Sequence, residues 1–325
     1  MKITVLGAGA VGGMIAARLA AAGETVSLIA RGATLEAILR DGLVLEDTDG
    51  RYAGPLTATD APENLPDQDV LVIALKAHQI PGALPTIGPL LTGRTLVVPA
   101  INGLPWWYFE GQAGPLGGTR LESLDPDGAL SETFAPERLA GCVVYVASES
   151  KAPGRILSSG NRRLILGAVT DEAPALLAPF ADSLTQAGFD APTTADIRAE
   201  VWRKLWGNLW ANPMSVLTGA TMGEMAAEPS VRETACKMMR EAQAIAASLG
   251  IALDGDIAER VDRPGAALAA FRTSMLQDYD RGRPIELEAI LGSVRELSIR
   301  LGVPAPTIDT VYGLTKLRAE TAGLN

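Results

Sequence analysis

Histidine is almost absent from this sequence: His78 is the only one in 325 residues. Cysteine is nearly as scarce, with Cys142 and Cys236 far apart. That leaves little material for a disulfide framework, a zinc centre or a Cys/His dyad. A run of about 18 uninterrupted apolar residues, as a membrane helix would need, is missing too. Excess positive charge is lacking as well. The formal net charge is −10, which makes nucleic acid and anionic membrane poor partners. Any anionic ligand must therefore be met by locally placed arginine or lysine. There is no internal repeat and no low-complexity tract. The apolar N-terminus is broken by Gly7, Gly9, Gly12 and Gly13 and followed by Arg18, which suits a strand, turn and helix better than a signal peptide. A cytoplasmic location is expected.

What remains is an ordinary globular composition, 47% hydrophobic and 20% charged, in a chain long enough for two domains. Ile3–Leu6 reads as a strand, Val11–Ala22 as a helix ended by Gly23, and Thr25–Ile29 as the next strand. Between the first two lies Gly7-Ala8-Gly9-Ala10-Val11-Gly12, a full G-x-G-x-x-G. Gly7 suits a tight turn, Gly9 lets backbone approach a pyrophosphate, and Gly12 lets helix pack on strand. Placed directly after a strand and before a helix, the motif points to dinucleotide binding rather than a structural turn. The second strand leads into Arg31, where NAD-preferring domains usually carry an acid. A guanidinium there suits a 2′-phosphate, so NADP(H) is the expected cofactor. The continuous apolar run Asp69–Leu75 reads as a buried parallel strand. Lys76 at its carboxyl end is either a phosphate or ribose contact or a solvated strand end. His78 reads as structural or exposed. Thr95–Pro99 is a further strand, followed by Ile101-Asn102-Gly103.

Residues 104–138 read as a long irregular loop opening on Pro105-Trp106-Trp107-Tyr108-Phe109. These aromatics either wall a pocket or cover a sheet edge. Strands are expected at Gly141–Ser148 and Arg163–Val169, and a helix at Ala173–Ala187. From Asp196 on the chain reads as helical, with helices at Arg198–Leu217, Ser230–Leu249, Gly265–Arg281, Ile285–Leu301 and Thr307–Ala322. The fold class is therefore α/β: a Rossmann-type dinucleotide-binding domain over 1–195, then an all-α substrate domain over 196–325. In the first long helix, Glu200, Lys204, Asn208 and Asn212 share one stripe. Val201, Leu205 and Leu209 form a second stripe, and Trp202, Trp206 and Trp210 a third. So apolar a helix is mostly covered by protein, and its lysine and amides need partners or a polar cleft. By itself it reads first as a packing helix whose lysine reaches water.

These features in this order resemble the ketopantoate reductase (2-dehydropantoate 2-reductase) family over nearly the whole chain. The marks are Gly7–Gly13, Arg31, Leu75-Lys76, Asn102-Gly103, Lys204 with Asn208 and Asn212-Pro213, Thr273-Ser274-Met275-Leu276-Gln277-Asp278, and Pro284-Ile285-Glu286. The resemblance implies NADPH-dependent reduction of a 2-oxo acid to a 2-hydroxy acid, with ketopantoate the leading substrate, in pantothenate biosynthesis. It implies Lys204 as the acid that protonates the carbonyl oxygen, and Glu286 as acceptor from the substrate's hydroxyl group. Asn208, Asn212 and Ser274 would hold the substrate, and Asn102 would lie where nicotinamide meets it. Arg31 and Lys76 would bind the adenosine phosphate end. Independently, hydride arrival builds charge on a ketone oxygen, which an ammonium can both stabilise and neutralise. Read without the resemblance, Ser274 and Glu286 would be an ordinary helix serine and a first-turn acid. The bulky 105–109 segment departs from the family's usual connection and admits another branched or aromatic 2-oxo acid as substrate. A non-catalytic NADP-binding sensor is the rival of another class, although it would have no need of a proton donor. A relative of the 3-hydroxyacid dehydrogenases fits less well with Arg31 and the 273–278 motif. A homodimer is an option that the sequence does not decide.

Overall fold

The computed structural model describes residues 1–114, 116–267 and 269–324, with 263–267 described by their backbone. Pro115, within the expected loop, and Leu268, within an expected helix, lie outside the described residues. The chain forms two compact units. The first comprises Met1–Ile101, Trp106–Arg120 and Asp127–Ile197, and the second Asn102–Pro105, Leu121–Pro126 and the chain from Arg198 onward.

The first unit begins with β1 (Lys2–Leu6), α1 (Ala10–Ala21), β2 (Thr25–Ile29) and α2 (Gly32–Asp41). Next come three short strands, β3 (Val44–Asp47), β4 (Gly50–Tyr52) and β5 (Thr57–Thr59), then β6 (Val70–Ile73), α3 (Ile80–Ile87) and β7 (Leu96–Pro99). A short α4 (Ala129–Thr133), the hairpin β8 (Ala140–Ala152) and β9 (Arg155–Ala168), and α5 (Leu177–Gln186) complete it. One sheet has the order β5-β2-β1-β6-β7, all parallel, as the Rossmann-type reading requires. Val70 to Ile73 are buried throughout, because a parallel sheet is covered on both faces. A second sheet, β4-β3-β9-β8, was not expected. Its three-to-four-residue strands and half-exposed hairpin carry too few apolar residues to announce themselves. The hairpin is also longer than the two strands read from the sequence, because its polar middle, including Ser148 and Ser158, continues the ladder.

Beneath the second sheet, Arg18 of α1 is 2% exposed and is bound by Asp47 through Nε at 3.2 Å and Nη2 at 2.5 Å. Its guanidinium also lies 4.3 Å from the Tyr52 ring centre. Arg162 binds Asp47 and Asp49 as well. Burial pushes the Asp47 carboxyl up, but hydrogen bonds from Arg18, Thr48 and Arg162 prevail and bring it down to about 2. The four aromatics are core residues: Trp106, Trp107, Tyr108 and Phe109 are each at most 5% exposed. Trp106 packs on Phe134 with centres 5.2 Å apart. The Trp107 ring lies so near Gly141 that a Cβ there would come within 2.6 Å of it. Their burial makes them part of the packing of the first unit.

The second unit is built of helices: α6 (Ile197–Thr218, its first residue still counted with the first unit), α7 (Met222–Ala227), α8 (Pro229–Ser248) and α9 (Ile257–Ala267). They are followed by α10 (Ser274–Asp280), a π-turn (Glu288–Gly292), α11 (Ser293–Leu301) and α12 (Pro306–Thr321). On α6, Trp202 and Trp206 are fully buried and Trp210 nearly so. The Trp206 indole donates to the Met239 carbonyl of α8 at 2.8 Å. The expected helix 265–281 is instead the end of α9 and the separate α10. Thr273 breaks it, since its hydroxyl accepts from the Leu276 N–H and caps a new helix. The helix expected from Ile285 starts only after Glu286, for a reason that belongs to the site. Among the described residues, no helix is long and apolar enough to cross a membrane.

Candidate active site

In the first unit, the carboxyl ends of three adjacent strands carry the expected nucleotide contacts. Gly7 follows β1, Arg31 follows β2 and Lys76 follows β6, and this edge is where open α/β sheets bind ligands. The glycines differ in what they do. Gly7 has φ +108° and would bring a Cβ to 2.6 Å from the Ala74 carbonyl oxygen. A Cβ on Gly12 would fall 1.9 Å from the Gly7 carbonyl oxygen. Both are demanded by the protein's own packing. A Cβ on Gly9 would meet nothing within 4 Å. Gly9 also caps α1 without any side chain, leaving first-turn N–H groups for an anion. That combination fits a pyrophosphate. Ala8, Ala10 and Val11 complete the turn, all half-buried. Gly13 was given no role from sequence, yet a Cβ there would strike Ile156 of β9 at 2.8 Å. Arg31 is exposed at the start of α2, with no ion pair among the described residues. Lys76 is half-buried, its N–H donating to the Gln79 side chain at 3.0 Å. His78 is exposed.

In the second unit, three residues far apart in sequence meet. Lys204 Nζ of α6 donates to Asn102 Oδ1 at 2.6 Å. Asn102 Nδ2 in turn lies 3.5 Å from Glu286 Oε2, and Glu286 is only 5% exposed. The amide is oriented by charge, its oxygen toward the ammonium and its nitrogen toward the carboxylate. Asn102 itself is set by Gly103 and the π-turn. Gly103 has φ +80° and sits so close that a Cβ would fall 2.2 Å from the Ala289 carbonyl oxygen. The Leu104 N–H donates to that same oxygen at 2.7 Å, and Ser293 Oγ donates to it at 3.0 Å. The wider π-turn accommodates this docking, and no regular helix extends back to Glu286. The structure thus brings Lys204, Asn102 and Glu286 together.

The remaining expected residues lie on α6 and α10. Asn208 is half-buried one turn beyond Lys204, and Asn212 is 5% exposed a further turn on. Ser274 is exposed at the first position of α10. Glu200 accepts from Arg203. The sequence did not single out Ser215, and Thr273 entered only as part of the 273–278 motif; their hydroxyls lie 2.6 Å apart in the interior. The Thr-Ser pair before a buried Met275-Leu276 was the one available signal.

The glycine turn at the edge of a parallel sheet suits a dinucleotide, and the ammonium–amide–carboxylate cluster in the helical unit suits proton transfer to an oxygen. Residues 3–171 match the family described as ketopantoate reductase PanE/ApbA. Residues 196–319 match its C-terminal domain. The 2-dehydropantoate 2-reductase of Mesorhizobium japonicum is 45% identical over 99% of both chains. A crystal structure of a candidate ketopantoate reductase from Ralstonia solanacearum superposes with TM-score 0.94, at 41% identity, over 100% of this chain and 99% of that one. A D-mandelate dehydrogenase shares the fold, with TM-score 0.83 at 20% identity and all of both chains covered. The chain belongs to the ketopantoate reductase family.

Proposed function

We propose that this protein reduces 2-dehydropantoate to pantoate with NADPH, as a cytoplasmic step of pantothenate biosynthesis. The bound nicotinamide would supply the hydride to carbon 2. The Gly7–Gly12 turn and the α1 N-terminus hold the pyrophosphate, and Arg31 and Lys76 hold the adenosine phosphate end. Lys204 gives its proton to the carbonyl oxygen: an N–H bond breaks, an O–H bond forms, and negative charge never accumulates there. Asn102 fixes the ammonium through its amide oxygen. Glu286, a buried carboxylate, accepts a hydrogen bond from the substrate's hydroxyl group. Asn208, Asn212 and Ser274 orient the substrate.

The single observation that carries this reading is the 2.6 Å contact from Lys204 to an amide that also reaches a buried carboxylate. A polar network of this kind is costly inside a helical unit, and a nucleotide-binding protein without chemistry has no use for it. The test is oxidation of NADPH and of NADH across a panel of 2-oxo acids, with wild type and Arg31→Ala. The expected result is turnover of 2-dehydropantoate with preference for NADPH, and loss of that preference in the variant. No turnover of any 2-oxo acid would remove the enzymatic reading. Preference for NADH in the wild type would remove the role of Arg31.

A further inference from the structure

The helix that carries Lys204 is joined to the helix that opens with Ser274 by a buried chain of hydroxyl groups. Ser215 Oγ lies 2.7 Å from the Asn212 carbonyl oxygen and 2.6 Å from Thr273 Oγ1. Thr273 Oγ1 accepts from the Leu276 N–H at 3.2 Å. Ser215 is fully buried, and Thr273 is 3% exposed. One assignment of the two hydroxyl protons satisfies every donor. Ser215 donates to Asn212, Thr273 donates to Ser215, and the Leu276 N–H donates to Thr273. The opposite assignment leaves the Thr273 proton without a described acceptor, a costly state in the interior.

The geometry points to Ser215 and Thr273 as positioning residues for substrate binding, a role that rests on the function proposed above. The relay runs from the backbone of Asn212 to the first turn of α10. Within that turn, Thr273 and Met275 are buried and Ser274 alone is exposed. Fixing both neighbours fixes the Cα of Ser274, so its hydroxyl is presented at a set distance from α6. Two apolar residues would fill the same space without any directional link. Hydroxyl pairs of this kind specify one arrangement because each must find its partner. Neither residue touches substrate; they act through Ser274 and Asn212.

The experiment compares steady-state kinetics of wild type, Ser215→Ala, Thr273→Val and Thr273→Ser with 2-dehydropantoate and NADPH. Each is assayed below its own Tm, with circular dichroism confirming the fold. Ser215→Ala and Thr273→Val are expected to raise the 2-dehydropantoate KM about tenfold, the effect of one lost hydrogen bond. NADPH KM should be unchanged and kcat should stay within about twofold of wild type. Thr273→Ser should restore KM, and the double variant should fall short of the product of the single effects, because the two act as one link. Unchanged KM in an active Ser215→Ala overturns the relay alone, and Thr273→Val then serves only as a check on the cap. A Thr273→Ser variant as impaired as Thr273→Val also overturns it. Wild type without turnover overturns the relay and the proposed function together.

Discussion

The two units prepare their sites by opposite means. The first works by leaving side chains out: Gly7 and Gly12 are required by backbone approaches of 2.6 Å and 1.9 Å, and the anion site proposed at Gly9 would consist of main-chain N–H groups. The second works by bringing side chains in, from positions 102, 204 and 286, over separations of 102 and 184 residues. A backbone site is encoded within six consecutive residues. A side-chain site of this kind exists only once the helices have packed.

Exchanging one glycine in each unit sharpens that contrast. Gly12→Ala places a Cβ against the Gly7 carbonyl and should abolish NADPH binding, measured by the fluorescence of the bound nucleotide. Gly103→Ala meets the Ala289 carbonyl and demands a left-handed backbone from alanine. It should leave NADPH binding intact and lower kcat roughly a hundredfold, the usual effect of a misplaced catalytic partner. Loss of NADPH binding in Gly103→Ala would erase the distinction between the two sites.

A smaller effect is expected from the Arg18–Asp47 pair, which belongs to the first unit's framework. The Asp47 carboxyl is held at about 2, below its ordinary value of 3.8. Its contribution to stability is therefore complete above about pH 4 and is lost as pH falls toward 2. The difference amounts to about 2 kcal/mol. Urea unfolding of wild type across that interval should show the loss, and Asp47→Asn should lack that increment. Equal acid sensitivity in the two proteins would show that the pair is not the source.

The legible parts of the sequence were those with a local cause. The βαβ start with its glycines, the buried strand Val70–Ile73 and the Trp/Leu faces of α6 follow from periodicity and spacing. The boundaries that misled have non-local causes. Thr273 starts a separate helix within the expected 265–281 stretch by capping α10 and reaching Ser215 across the fold, and the π-turn after Glu286 accommodates the docking of Leu104 on Ala289. The aromatics at 106–109 were ambiguous because burial against Phe134 and Gly141 cannot be read from a run of ring residues. Lys204 stood out from the polar stripe of its own helix, whereas a role for Glu286 came only from resemblance to a family, since nothing in either one's neighbourhood names the other. Asn102, the residue that joins them, completes the cluster only in three dimensions.

The central claim is that Lys204 gives the proton, and single-turnover reduction of 2-dehydropantoate by Lys204→Ala preloaded with NADPH tests it most directly. The expected result is NADPH affinity equal to wild type with a rate of reduction lower by about 10²–10⁴, the usual worth of a positioned general acid. A variant that binds NADPH normally and reduces the substrate at the wild-type rate would contradict the account.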